Sequence, residues 1–230
     1  MAAEGLSVVR SRVAAAAERS GRATGDIRLV AVSKGHSIAS IQAAYDAGHR
    51  DFGENRAGEL LEKVPLLPAD IRWHFVGALQ SRKARLVRPH TWLLHSLDRP
   101  SLVQAWVRSA GRIPPALIQV NIAAESQKGG VDPDELGDLL DEASSAGIEC
   151  RGLMVIPPQP DDPEQSRPWF ERLALLQQRW FGAYPTLTEL SMGMTDDYEV
   201  AIESGATVIR IGRAIFGARD VGGPSRERGT

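Results

Sequence analysis

The sequence predicts an α/β fold, namely a single (β/α)8 TIM barrel with an extra N-terminal helix. Over 230 residues, short apolar segments typical of buried strands alternate eight times with segments of helical periodicity. Short connections between such units are typical of a parallel sheet, and eight units in about this length fit an eight-stranded barrel. No linker or change in composition divides the chain, so we expect one domain over residues 1–219.

The apolar pattern predicts the extra helix and all eight strands. Leu6, Val9 and Val13 recur on one side of residues 1–20, which indicates an amphipathic helix packed on the barrel. The first strand is the apolar run that ends at Lys34, and the others are similar short runs bounded by turn-forming residues. We predict strands over residues 28–34, 50–53, 73–77, 91–95, 116–122, 150–156, 187–191 and 207–211.

Capping and turn-forming residues mark the ends of the helices. One helix is expected to begin near Ser37 and to end at Gly48. Another is expected to begin at Asp132, because its carboxylate can cap a helix that has Pro133 at the first position. Residues 220–230 are polar and rich in glycine, and we expect a disordered tail there. The remaining helices are predicted over residues 55–64, 82–87, 102–109 and 195–204 and in a long segment that ends at residue 180.

A doubly wound open sheet is the main alternative for alternating strands and helices. That fold commonly carries a Gly-x-Gly-x-x-Gly turn after its first strand, and no such turn occurs here. A phosphate-loop motif is also absent from the sequence, so the barrel is favoured.

Composition argues against several classes of function. A net charge of -2 and a pI near 6.2 give no basic surface that would indicate a nucleic-acid partner. Cys150 is the single cysteine, which excludes an intrachain disulfide and a four-cysteine zinc site and is consistent with the cytoplasm. No apolar run approaches the roughly 20 residues of a membrane span, and no cluster of ligands has metal-binding spacing. We expect a cytoplasmic protein with no membrane or metal partner, and a monomer.

Lys34 is the first candidate functional residue. It follows a buried strand and precedes Gly35, and only four of the 27 basic residues are lysines. Arginine cannot be deprotonated, whereas a lysine amine with a lowered pKa can attack a carbonyl and form a Schiff base. The alternative is a strand-end lysine that reaches into solvent. The two other lysines considered as anion ligands, Lys83 and Lys128, are more simply explained as solvated charge.

The ends of the last two strands carry small residues suited to a phosphate group. In barrels, the loops after strands seven and eight often bind phosphate, because free backbone amides and a helix dipole point at the anion. Here these loops begin with Ser191-Met-Gly-Met194 and Gly212-Arg-Ala214. Together with a strand-end lysine, they indicate a phosphorylated aldehyde as ligand.

Several segments resemble the pyridoxal phosphate homeostasis protein family (YggS/PROSC). They recur in order between residues 29 and 219 and so cover nearly the whole chain. The resemblance implies one barrel of the alanine racemase N-terminal type that binds pyridoxal 5'-phosphate (PLP). The matching segments are LVAVSK at 29–34, DFGEN at 51–55, WHFVG at 73–77, LQS at 79–81, RGLM at 151–154, SMGM at 191–194, IRIG at 209–212 and AIFG at 214–217.

The resemblance also implies roles for individual residues. Lys34 matches the family's Schiff-base lysine, and Arg210 matches the residue that faces the pyridine nitrogen. Because many members have threonine at position 213, we expect the backbone there to matter more than the arginine side chain. The other matching positions are Ser191, Gly212 and Arg213 at the phosphate, and Asn55 and Met192 along the ring.

His74 is a candidate contact of the cofactor ring, with a satisfied core histidine as the alternative. His36, His49 and His90 are expected to face solvent.

The expected function is to hold PLP as a lysine Schiff base in vitamin B6 homeostasis, without robust catalysis. Members of the family lack an established reaction, and apo-enzymes that require PLP are candidate partners. The alternative is a PLP enzyme such as an amino-acid racemase or aldolase. A racemase needs a second base, which related barrels take from a tyrosine in an additional β-domain. The three tyrosines of this chain, Tyr45, Tyr184 and Tyr198, are predicted in helices or loops away from the strand ends.

Overall fold

The computed structural model of the chain describes residues 1–108, 111–125 and 129–218. The predicted tail over residues 220–230 and Lys128 lie outside these residues. Eight strands form a closed barrel in which every neighbouring pair is parallel and the order in space follows the order in sequence. The last strand returns to the first, with Arg28 opposite Val208 and Val30 opposite Arg210. The predicted (β/α)8 barrel is therefore confirmed.

Six of the strands are shorter than predicted because segments leave the sheet early, whereas β2 and β4 keep their predicted lengths and lie one and two residues later. The fifth ends at Gln119, and Val120 pairs instead with Val131 in an isolated bridge. The strands are β1 (Arg28–Val32), β2 (Asp51–Glu54), β3 (Arg72–Phe75), β4 (Leu93–Leu97), β5 (Ala116–Gln119), β6 (Cys150–Met154), β7 (Glu189–Ser191) and β8 (Val208–Ile211).

Helices cover the outside of the barrel, and the predicted N-terminal helix is present. A short final helix after β8 was not predicted, because four residues are too few to show a helical period. No described helix has both the length and the apolar character needed to cross a bilayer. The helices are α1 (Ala2–Arg19), α2 (Ile38–Asp46), α3 (Ala57–Lys63), α4 (Ser81–Val87), α5 (Pro100–Val107), α6 (Leu136–Ser145), α7 (Arg167–Phe181), α8 (Tyr198–Glu203) and α9 (Arg213–Phe216).

The predicted start of the sixth helix is wrong by four residues. The Asp132 carboxylate accepts a hydrogen bond from the backbone N–H of Asp134 at 2.9 Å, and this bond closes a turn ahead of the helix. Helix α6 then begins at Leu136. The capping chemistry at Asp132 is real, but it stabilises the turn and not the helix end.

Side chains alternate between the helix layer and the barrel interior. Val30, Val32 and Val208 form one inward apolar cluster, and Leu93, Leu117 and Met154 form another. The residues between them along the strands pack outward in the main core. The same alternation points His74, His95, Ser191 and Arg210 inward, so the middle of the barrel is polar.

Helix α1 contacts α2, α8 and α9, and Gly5 of α1 lies against the backbone of α9. A Cβ atom at Gly5 would lie 2.4 Å from the carbonyl oxygen of Ile215 and 2.8 Å from that of Ala214. Both oxygens belong to backbone, which cannot move aside cheaply. The position of α9 therefore depends on the absence of a side chain in α1.

We predict that Gly5→Ala lowers the free energy of unfolding by about 1–3 kcal/mol, because the added methyl forces α1 and α9 apart. Gly58→Ala in α3 is the matched control, since nothing lies within 4 Å of its Cβ position. Alanine favours a helix over glycine by about 0.5–1 kcal/mol, so this control should be neutral or stabilising. Urea unfolding curves compare the two variants, and equal midpoints would contradict the prediction.

Candidate functional site

The carboxyl end of β1 lies beside the carboxyl end of β8. Lys34 is the second residue after β1, and Gly35 follows it with a φ of 71°, in the left-handed region that favours glycine. A Cβ atom at Gly212 would lie 3.1 Å from the carbonyl oxygen of Val32. The structure therefore brings the predicted Schiff-base lysine and the predicted phosphate glycine to the same edge of the barrel.

A buried ion pair holds the chain just before Lys34. The Nζ atom of Lys63 donates to Glu54 Oε1 at 2.6 Å and to the carbonyl oxygen of Ser33 at 2.9 Å. The Ser33 hydroxyl donates to the same Glu54 oxygen at 2.7 Å. Glu54 is completely buried, and burial raises the pKa of its carboxyl despite the Lys63 ammonium.

A second carboxylate holds the chain just after Lys34. Glu59 Oε2 accepts the backbone N–H of Gly35 at 2.7 Å and the Lys63 ammonium at 3.2 Å. Burial alone would raise the pKa of Glu59, but these two donors hold it below the usual value. The residues on both sides of Lys34 are thus fixed by α3, and we call Glu54, Glu59 and Lys63 the α3 clamp.

Sequence reasoning missed the α3 clamp. Lys63 stands four residues after Glu59, a spacing that is typical of an exposed helical ion pair and predicts no burial. The available signals were the scarcity of lysine and the carboxylate of Glu54 at the end of a short strand.

Asn55 lies next to the clamp, directly after β2. Its Oδ1 atom is buried and has no hydrogen-bond partner among the described residues. The backbone of Gly77, after β3, approaches so closely that a Cβ atom there would lie 2.4 Å from the carbonyl oxygen of Asn55. A buried amide oxygen without a partner is uncommon and indicates a ligand group that would satisfy it.

Ser191 and Arg210 are in direct contact inside the barrel. Arg210 Nη1 donates to Ser191 Oγ at 2.6 Å, and Nη2 donates to the carbonyl oxygen of Val155 at 2.8 Å. Burial lowers the pKa of Arg210 to about 10, so the guanidinium keeps its charge at neutral pH. Ser191 also bonds to His95 Nδ1 at 2.8 Å, which ties its hydroxyl to protein partners on both sides.

The other predicted site residues are placed less favourably. Met192 is fully buried in the core between the sheet and the helices and not in the barrel interior. Arg213 is exposed, and its side chain pairs with Asp196. His74 is fully buried, and its two ring nitrogens bond to His95 and Asp51, which favours the core alternative.

Two of the histidines expected in solvent are buried, and that expectation is corrected. The His36 ring stacks on Phe216 of α9 at 5.0 Å between centroids, which joins the loop after β1 to α9. His49 Nε2 lies 2.8 Å from the carbonyl oxygen of Asp51, and burial lowers the pKa of His49 to about 4. His90 is exposed, as predicted.

A cavity of about 670 Å³ opens at the opposite, amino-terminal end of the barrel. Three of the four arginines that line it form ion pairs, Arg28 with Glu189 at 3.3 Å, Arg50 with Asp70 at 2.8 Å and Arg72 with Asp51 at 2.5 Å. None of the predicted site residues is among those that line it. Within the described ranges, no group of three or more histidine, cysteine or carboxylate side chains could hold a metal ion.

Comparison with known proteins finds relatives over nearly the full chain. Residues 6–220 match the family described as alanine racemase, N-terminal domain. The chain is 39% identical over 224 residues to a pyridoxal phosphate homeostasis protein of Aquifex aeolicus, covering 95% of this chain and 98% of that protein. It is 40% identical over 230 residues to one of Pseudomonas aeruginosa, covering 97% and 98%.

Solved structures show the same barrel. PipY of Synechococcus elongatus, solved with PLP bound, is 35% identical with a TM-score of 0.80, covering 94% of this chain and all of that one. An unknown protein from Bifidobacterium adolescentis is 34% identical with a TM-score of 0.88, covering 94% of each chain. Alanine racemase from Corynebacterium glutamicum, at 14% identity and a TM-score of 0.70, covers 93% of this chain and 62% of its own, and shares the fold.

We predict that Lys63→Met destabilises the protein by about 3–5 kcal/mol, because it leaves the Glu54 carboxylate buried without its counter-charge. Arg56→Met is the matched control, since Arg56 also pairs with Glu59 but has a side chain that is 74% exposed. Such an exposed pair contributes about 0–1 kcal/mol. Urea unfolding at neutral pH measures both, and a Lys63 variant as stable as the Arg56 variant would contradict the clamp.

Proposed function

Because this chain belongs to the pyridoxal phosphate homeostasis protein family, we propose that it holds PLP reversibly on Lys34 and acts in vitamin B6 homeostasis. The observation that carries the proposal is the clamped turn at Lys34, which stands at the carboxyl end of the barrel beside Gly212. This is the end at which barrel proteins carry their functional groups.

Lys34 is the group proposed to bind the aldehyde. Its amine adds to the aldehyde carbon and water leaves, which forms a Schiff base that water can reverse. The bound cofactor supplies an electron-withdrawing ring. The α3 clamp holds the backbone on both sides of Lys34, so the backbone that carries the amine needs no further ordering.

The remaining groups are proposed to fix the phosphate and the ring. The first hydrogen bond of α9 runs from the Ile215 N–H to the Gly212 carbonyl oxygen. The backbone amides of Gly212, Arg213 and Ala214 precede it in the chain. These amides are suited to the phosphate. Asn55 supplies a buried amide oxygen that has no hydrogen-bond partner within the part of the chain that the structure describes.

The absence of robust catalysis is part of the proposal, and Arg210 supports it. A guanidinium can only donate hydrogen bonds, so beside a ring nitrogen it disfavours the protonated ring that withdraws electrons best. The tyrosines offer no second base in this arrangement. Tyr45 and Tyr184 bond to Asp70 and Asp141, respectively.

Tyr198 is the third tyrosine, and it packs in the helix layer. The guanidinium of Arg12 lies over its ring, 5.6 Å from the centroid. A racemase or aldolase therefore remains the less favoured alternative.

We further propose that the protein is cytoplasmic and monomeric, and that it transfers PLP to apo-enzymes that require it.

The Schiff base predicts one labelled peptide. After incubation with PLP and reduction with borohydride, peptide mass mapping should find the adduct on Lys34, and Lys34→Ala should abolish the absorbance of bound PLP while leaving the fold intact. Lys83→Ala is the control, because Lys83 is exposed in α4, and it should change neither result. An adduct on Lys63 or Lys83 in the wild type would overturn the assignment.

Weak catalysis predicts that amino acids retain their α-proton. We expect alanine, serine and threonine to exchange that proton slowly or not at all when incubated with the PLP-loaded protein in deuterated water, because Arg210 disfavours a protonated ring. Proton NMR of the amino acid measures the exchange. Rapid exchange that is lost in Lys34→Ala would move the conclusion to a racemase or lyase.

A further inference from the structure

The barrel interior contains a continuous row of hydrogen bonds, of which the proposed function uses only Arg210. It begins at Arg210 near the candidate site and passes through Ser191, His95 and His74 to Asp51 at the start of β2. The successive distances are 2.6, 2.8, 2.8 and 3.1 Å. All five residues are at least 94% buried.

We propose that Asp51, His74 and His95 are positioning residues, whose hydrogen bonds have a fixed donor direction and orient the Ser191 hydroxyl and, through it, the Arg210 guanidinium. We call these five residues the relay. The hydrogen bonds of the relay do not depend on PLP, whereas the effect of the relay on bound PLP rests on the proposed function.

The Asp51 carboxylate sets the direction of the hydrogen bonds in the relay. It accepts two hydrogen bonds from Arg72. Arg72 Nε donates to Asp51 Oδ1 at 2.9 Å, and Arg72 Nη2 donates to Asp51 Oδ2 at 2.5 Å. A paired carboxylate is an acceptor only, so the Nε2 atom of His74 carries the proton of that bond. Burial would raise the pKa of Asp51, but His74 and Arg72 lower it, which keeps the carboxylate ionised.

The remaining directions follow in turn. In a neutral imidazole one nitrogen donates and the other accepts, so His74 Nδ1 accepts from His95 Nε2. His95 Nδ1 must then accept, and its partner is the Ser191 hydroxyl. A lone pair of the Ser191 oxygen is left for the Arg210 Nη1–H. Every donor in the row has one acceptor, and no two donors face each other.

Both imidazoles are kept neutral by their surroundings. Burial lowers the pKa of His74, although the Asp51 carboxylate opposes this. Burial lowers the pKa of His95 well below its ordinary value, and the neighbouring His74, Arg210 and Arg28 lower it further. The ionisable groups that act on the two rings are Asp51, Arg28, Glu189 and Arg210, besides the rings themselves.

The relay changes the role of Ser191, which was expected to contact the phosphate. Its hydroxyl proton is used in the bond to His95, so the side chain has none to donate to a phosphate. Its oxygen instead accepts from Arg210. Ser191 therefore acts through Arg210, and the phosphate contacts fall to the backbone around Gly212.

The first test reads the relay in the protein without PLP. Long-range proton–nitrogen NMR of ¹⁵N-labelled imidazoles should show His74 and His95 as neutral rings protonated at Nε2 between pH 5.5 and 8. A proton on Nδ1 of either ring, or titration of either ring in this range, overturns the relay. This result does not depend on whether PLP binds, so failure of the proposed function leaves it standing.

The second test asks whether the relay reaches the cofactor. His95→Leu removes the acceptor for Ser191, and we expect PLP affinity to fall about tenfold, the effect of one lost bond to a charged group, with a shifted absorbance maximum. His95→Asn places an amide oxygen near the former Nδ1 position and should restore affinity to within about threefold.

Leu94→Ala is the control for loss of stability alone. Leu94 neighbours His95 but faces the outer core, so its truncation destabilises β4 without touching the relay. It should leave the absorbance maximum unchanged. If His95→Leu matches the wild type, or if Leu94→Ala or His95→Asn shifts the maximum as much as His95→Leu does, the positioning role is overturned.

Discussion

The pairing of β8 with β1 is the constraint on which the candidate site depends. It places Arg210 opposite Val30 and brings Gly212 against the backbone of Val32, although nearly 180 residues separate these strands in sequence. Lys34 and the start of α9 are neighbours only because the barrel closes. The stacking of His36 on Phe216 adds a second link across the same junction. A chain with the same motifs in an open sheet would hold the two halves of this site apart.

Much of this arrangement could be predicted from the sequence. The alternation of apolar runs and helical segments was sufficient for the barrel, and strand-end positions were sufficient to group Lys34 with Gly212. The strand ends and the start of α6 were less predictable, because Asp132 can close a turn or cap a helix with the same carboxylate. Burial of Lys63 depends on a partner on another element, which a local pattern cannot reveal.

The polar interior was the least predictable part, and its physical cost explains its form. A buried polar group without a partner costs about 1–3 kcal/mol, so a polar barrel centre is tolerated only when its hydrogen bonds are complete. Here the inward valines and leucines enclose His74 and His95, whose bonds are all made within the protein. Sequence periodicity shows that a histidine points inward, but it cannot show which side chain will meet it from another strand.

The contact of α1 with α9 has a consequence for synthesis on the ribosome. Gly5 is translated long before Ile215, yet their backbones meet. While the chain emerges, α1 has neither α8 nor α9 to pack against, and its buried leucine and valines remain exposed to solvent or to a chaperone. The end of the barrel that carries Lys34 and Gly212 can therefore be completed only after the whole barrel has been translated.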